Sequence, residues 1–188
     1  MTMYTFEQML AVTSRKLCTR PFLEQVKWLA GMHPLGIILR EKDLTEKEYE
    51  ELAVQVKGIC RENGTECILH SWVGVARRLN CPCIHLPFER FQREAQDIQD
   101  FQKIGVSVHS VGEAVRAQEL GASYVTAGHI FPTDCKKGMP ARGLGFLREV
   151  CEAVAIPVFA IGGITPQNAT NVCKAGASGY CVMSGVMR

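Results

Sequence analysis

The sequence predicts a single α/β domain over residues 1–188, a (β/α)8 TIM barrel. Three observations point there. Eight short apolar runs rich in β-formers recur along the chain. Amphipathic helical segments fall between most of them, and no Pro/Gly/Ser-rich linker breaks the alternation. The runs are apolar on nearly every residue, as strands covered on both faces must be. An open doubly wound sheet is the alternative architecture.

In chain order the strands are MLAVT (9–13), LGIILR (35–40), ECILH (66–70), CIHL (83–86), IGVSV (104–108), YVTAG (124–128), PVFAI (157–161) and GYCVM (179–183). The helix over 45–63 places Leu52, Val56 and Ile59 on one face, and Thr45 and Glu48 have the spacing of a capping box. The helix over 110–121 opens with Ser110 and Glu113 in the same pattern and stops at Gly121. The helix over 165–176 begins with Thr165 and Pro166 and ends at Gly176. Five residues follow the last strand, so the barrel is expected to lack a full final helix. A homo-oligomeric partner is one way to cover the ground that this leaves beside strand 8.

Charged residues make up 21% of the chain, and a net charge of +2 is too small and too scattered for a nucleic-acid or membrane partner. No apolar stretch is long enough to span a bilayer, and the N-terminus does not read as a signal peptide. Nine cysteines are an odd number, and Cys67, Cys151, Cys173 and Cys181 sit in or beside apolar segments. Cys81 and Cys83 form a CPC that lacks the second pair a zinc site needs. A reduced, cytoplasmic protein is expected.

In such folds the chemistry gathers at the C-terminal ends of the strands. Those ends carry Arg40, Glu41 and Lys42, then His70 and Ser71, Ser107 and His109, Gly128 and His129, IGGI (161–164) and MSG (183–185). Glycines after strands 7 and 8 let backbone N–H groups approach an anion closely, which suits a phosphate. Arg40, Lys42 and Lys136 add positive charge, Arg40 as a planar fork and the lysines as mobile points. Histidine as a residue type can both take and return a proton near neutral pH, and His129 is the candidate acid/base. Cys135 is a nucleophile by type, but no base is assigned to it by spacing.

The segments LREKD (39–43), IGVSVHSVGEAVRAQELGASYV (104–125), GHIFPTDCKKG (128–138), IPVFAIGGITPQNA (156–169) and AGASGYCVMSG (175–185) resemble the thiamin phosphate synthase/TenI superfamily. The resemblance runs from about residue 9 onward, is densest from 104, and implies the barrel independently. In the synthase branch it implies a glutamine where this chain has Ile38, an Asn-Asp pair at His70-Ser71, and an aspartate at Arg90, with Glu89 beside it as a partial substitute. The two aspartates are that branch's magnesium ligands. Their replacement points to the TenI branch and to a thiazole tautomerase.

On that resemblance, His129 is the acid/base that aromatises a dihydrothiazole carboxylate phosphate, and no metal or organic cofactor is needed. Ser107 and Lys136 hold polar ring substituents, Thr133 supplies a hydrogen bond from the loop, and Gly163, Met183 and Ser184 bind the phosphate. Arg40 and Lys42 face the substrate or set the field at the mouth. The partner is a small thiazole phosphate. The alternatives are thiamin phosphate synthase and a phosphate-binding regulatory protein without catalysis.

Overall fold

A computed structural model of the chain describes residues 3–136 and 138–188, with Cys135 described by its backbone alone. Eight parallel strands close into a barrel in the order β1 to β8. They are β1 Met9–Val12, β2 Gly36–Leu39, β3 Cys67–His70, β4 Cys83–Pro87, β5 Lys103–Val108, β6 Tyr124–Gly128, β7 Val158–Ile161 and β8 Gly179–Val182. The helices are α1 Phe22–Gly31, α2 Glu46–Glu62, α3 Val73–Arg78, α4 Phe88–Glu94, α5 Val111–Glu119, α6 Gly143–Ala153, α7 Ala169–Lys174 and α8 Ser184–Met187. Every residue of β1, β2, β3, β6 and β8 is buried, the two-sided burial that the apolar runs anticipate. Among the described residues, no helix is long and apolar enough to cross a membrane.

Several strands stop short of the apolar runs. Thr13, Arg40 and Met183 lie just beyond β1, β2 and β8. At the first two the ladder gives way to a side chain, because the Arg40 N–H donates to Thr13 Oγ1 at 3.0 Å. By contrast, β5 gains Lys103 at its start and β4 gains Pro87 at its end.

The chain forms two compact units, and the division falls within β4 and β8. One unit is Thr5–His85 with Val182–Arg188. Its core includes Val26 and Leu29 of α1, Tyr49, Ala53 and Val56 of α2, and Ile37, Leu39 and Ile68 of the strands. The Tyr49 hydroxyl ties two strand ends together, donating to the Leu39 carbonyl at 2.7 Å and accepting from the His70 N–H at 2.9 Å. Burial pushes this phenol's pKa far up, so it stays protonated. The last element, α8, is one turn of four residues. That turn is nonetheless anchored, with Val186 and Met187 buried and the Val186 carbonyl accepting from Gln25 Nε2 at 2.5 Å.

The other unit is Leu86–Cys181 with the first residues of the chain. Its strand pairs run Gly105–Tyr124 to Val108–Ala127, then Val125–Val158 to Gly128–Ile161. Phe91, Val106, Val125, Leu147 and Val150 fill its core, and Tyr124 meets Phe159 edge-on at 5.5 Å. Tyr4 joins it through a hydrogen bond to the Ile164 carbonyl at 3.2 Å.

The helix signals fare unequally. At α2 the full capping box forms, with Glu48 N–H on Thr45 Oγ1 and Thr45 N–H on Glu48 Oε2 at 2.8 Å. At α5 only half forms. Ser110 Oγ accepts from the Glu113 N–H at 3.1 Å, but the Glu113 carboxylate takes the His109 N–H at 2.6 Å. The helix expected from Thr165 starts at Ala169 instead. Asn168 is the cause: its Oδ1 accepts from the Thr165 N–H and its Nδ2 donates to the Gly163 carbonyl, both at 2.9 Å, closing 163–168 into a turn.

Thr45→Ala removes one half of the α2 box and should lower unfolding free energy by about 1 kcal/mol. Urea denaturation of the variant beside wild type measures it.

Candidate functional site

His129 follows β6 directly, across a cis peptide bond from Gly128, and is buried. Its Nε2 lies 3.3 Å from the Met139 carbonyl. A carbonyl can only accept, so Nε2 carries a proton and donates it to Met139. The His129 carbonyl accepts from the Arg142 N–H at 3.0 Å. The β6–β7 pairing then continues past the strands, through Ile130 N–H to the Ile161 carbonyl at 2.9 Å and Phe131 N–H to the Gly162 carbonyl at 3.0 Å.

This seam leaves no room for side chains on the β7 side. Gly162 has φ +98°, and a Cβ there would lie 2.3 Å from His129 Cβ. Gly163 has φ +66°, and its Cβ would lie 2.5 Å from the Pro132 carbonyl oxygen. Both positions thus need glycine for conformation and for space. From the sequence the glycine pair suits an anion, with Gly163 the expected phosphate ligand; in the structure Gly162 packs directly against His129.

Ser107 sits opposite Thr126 in the β5–β6 register, and Thr126 Oγ1 donates to Ser107 Oγ at 3.2 Å. Thr126 is buried and was not singled out; its signal was a lone polar residue inside YVTAG. His109 is held at its ring, with Nδ1 3.0 Å from the Gly128 carbonyl. Thr133 and Lys136 share one tight turn, the Lys136 N–H donating to the Thr133 carbonyl at 3.0 Å, and Lys136 is exposed. Lys137 and the Cys135 side chain lie outside the described residues.

In the unit built on Thr5–His85, Arg40 is half-buried and Lys42 exposed. Glu41, between them, is buried and acts as a brace. It accepts from Thr13 Oγ1 at 2.7 Å and from the Arg15 N–H at 3.1 Å, and pairs with Arg15 Nε at 3.4 Å. Thr13 accepts in turn from the Arg40 N–H, so the buried carboxylate fixes the main chain that carries Arg40. Met183 and Ser184 stand at the start of α8, half-buried and exposed respectively.

His70 and Ser71 end β3, and Ser71 Oγ lies 2.9 Å from His70 Nδ1. Ser71 has φ +68°, a conformation that serine rarely adopts. His70 stacks on His85, with ring centroids 5.8 Å apart. His85, hidden in CIHL, was missed by sequence reasoning. Burial first, and then the Arg40 guanidinium, push its pKa down to about 3.

These groups do not fit a protein-held magnesium. At the positions where the synthase branch is expected to place aspartates stand Ser71, turned to His70, and Arg90, whose Nε pairs with Glu94 at 2.8 Å. Among the described residues, no cluster of three or more His, Cys, Asp or Glu is arranged to hold a metal ion.

The family model described as thiamine monophosphate synthase matches residues 9–186. The chain belongs to the thiamine monophosphate synthase/TenI family. It is 35% identical over 177 residues to a thiamine-phosphate synthase of Pyrococcus abyssi, covering 94% of this chain and 84% of that one. It is 34% identical to thiamine-phosphate synthase 2 of Streptococcus pneumoniae, covering 89% of this chain and 80% of that one. The solved thiamine phosphate pyrophosphorylase of Pyrococcus furiosus superposes with a TM-score of 0.83 at 33% identity, covering 96% of this chain and 87% of that one. These relatives are named as synthases, which are transferases. That overturns the expectation of a thiazole tautomerase, an isomerase. The expectation rested on a few mouth positions, whereas the likeness to family members named as synthases runs through the chain.

Gly162→Ala should cost more than about 1 kcal/mol in urea denaturation, since alanine meets both a positive φ and the His129 Cβ. His85 predicts a pH dependence. It is neutral when folded and takes a proton when unfolded below about pH 6.5. The unfolded state therefore binds the extra proton from 6.5 down to about 3, and stability falls as pH drops through that window. Between pH 7 and pH 5, wild type should lose about 2 kcal/mol more than His85→Asn. Urea titrations of both proteins at each pH measure the difference.

Proposed function

We propose that the chain is a thiamine-phosphate synthase, joining a thiazole phosphate to a pyrimidine delivered as its pyrophosphate. The observation that carries this is 35% identity, across 94% of the chain, with a protein named for that activity. A cytoplasmic location and small-molecule phosphate partners belong to the same proposal.

The glycine loop after β7 supports a phosphate ester, because main chain without side chains can bring N–H groups close to an anion. In this reading Gly163 holds the thiazole phosphate within its own unit, and in the unit built on Thr5–His85 the backbone of Met183 and Ser184 offers N–H groups to a phosphate. Ser107, Thr133 and Lys136 meet the ring substituents. In the unit built on Thr5–His85, Arg40, with its main chain braced by Glu41, and Lys42 offer positive charge suited to a pyrophosphate. His129 changes role. When the thiazole nitrogen attacks the pyrimidine methylene, a C–N bond forms, pyrophosphate leaves and no ring proton is released. The step needs no base, so His129 positions the substrate.

A second reading, phosphate binding without turnover, is favoured by the misfit of His70, Ser71 and Arg90 to a magnesium site. One assay separates the two. The protein is incubated with thiazole phosphate, pyrimidine pyrophosphate and magnesium, and thiamine phosphate is followed by its oxidation to a fluorescent product. Sustained formation supports the synthase. Tight binding of thiazole phosphate without product supports the second reading, and neither outcome leaves both without support. Within the synthase reading, His129→Asn should retain activity within about tenfold, whereas loss of a true general base costs about 10²-fold or more.

A further inference from the structure

A cluster of thiols lies away from these strand ends, at the start of β3 and β4. Cys60 sits in the last turn of α2, Cys67 opens β3 and Cys81 immediately precedes β4. They are 1%, 9% and 3% exposed. The Cys67 thiol is within hydrogen-bonding reach of both Cys60 and Cys81. Pairing of Leu69 with Ile84 carries Cys67 down beside the 81–83 segment. The Cys81 thiol donates to the Cys67 carbonyl at 3.4 Å and to the Cys83 carbonyl at 3.6 Å, so it rests beside Cys67 as a protonated thiol.

The surroundings treat the thiols differently. Hydrogen bonds to Cys60 and Cys81, then burial, push the Cys67 pKa up. Cys81 is pulled down, first by the hydrogen bond from Cys67, then by main-chain bonds at Cys83 and Leu69 and by the Lys57 ammonium, against its burial. Lys57 is kept in place by the carbonyls of Leu79 and Asn80. Two thiols in contact, one of them with a cation beside it, are the parts of a dithiol that can be oxidised and resolved.

We propose that Cys81 and Cys67 form a redox-active dithiol, which a hydroperoxide converts into a disulfide. The Cys81 thiolate attacks the peroxide. An S–O bond forms, the O–O bond breaks, and the departing oxygen takes a proton to leave as water or alcohol. Cys67 then loses its proton and attacks the Cys81 sulfur. The S–S bond forms, the S–O bond breaks, and hydroxide leaves with that proton as water. The two sulfurs are oxidised together and the peroxide is reduced. Burial selects a small oxidant such as hydrogen peroxide.

The test treats the folded wild-type chain with hydrogen peroxide, blocks remaining thiols, digests without reduction and maps the peptides by mass spectrometry. The expected result is a linked Cys67–Cys81 peptide pair, formed ahead of oxidation at Cys18 and reversed by dithiothreitol. Burial and the nearby Glu41 push the Cys18 thiol up and slow it. Recovery of Cys67 and Cys81 in alkylated form while Cys18 or Cys151 is oxidised overturns the proposal, as does a dominant Cys60–Cys67 link. Cys67→Ser orders the steps, since it should stop at a sulfenic acid on Cys81 that dimedone traps. The wild-type map decides the matter even if that variant fails to fold.

Discussion

Main chain lies on main chain where residues 129–131 run against 161–163. Two hydrogen bonds beyond the ends of β6 and β7 hold these segments so close that positions 162 and 163 admit no side chain. The contact determines where His129 sits and which way its carbonyl faces, and it presents the glycine loop as bare backbone. Asn168 completes the arrangement by clasping the Gly163 carbonyl and the Thr165 N–H, which delays α7 until Ala169. The loop is thus shaped by packing first, and that shape is what makes it suitable for an anion.

The unit built on Thr5–His85 solves a different problem, keeping charge at a strand end without a rigid glycine frame. Glu41 is buried, yet it is satisfied by Thr13 Oγ1, the Arg15 main chain and the Arg15 guanidinium. An unpaired carboxylate in that position would be costly, so these partners are conditions of the fold. In the same unit a neutral histidine lies in the field of a permanent cation. His85 stays uncharged because burial and Arg40 both disfavour its proton. At this strand end the fixed positive charge is that of Arg40, and His85 adds none.

The architecture was legible because its signals are local or repetitive. Two-sided burial writes itself as unbroken apolar runs, and the Thr45–Glu48 box needs partners three residues apart. Signals failed where a long-range partner or a competing donor intervened. Glu41 reads as part of a charge run, but Thr13 and Arg15, 28 and 26 residues away, draw it inside. His109 offers Glu113 an N–H that Ser110 was expected to offer. His85 is silent in an apolar strand because nothing in CIHL shows that Arg40 and His70 will flank it. His129 was visible since it follows a strand end, but its chemistry was not. Replaced residues at 38, 70, 71 and 90 pointed to an isomerase, and the relatives over most of the chain point to a synthase.

The central claim is that the glycine seam and His129 together receive a thiazole phosphate. It is tested most directly by titrating isotope-labelled protein with that compound and following amide and imidazole resonances. The account predicts that the Gly162 and Gly163 amides and the His129 ring shift together, with one shared affinity, while residues around Cys67 and Cys81 stay still. Saturable binding that leaves Gly162, Gly163 and His129 unmoved would contradict it.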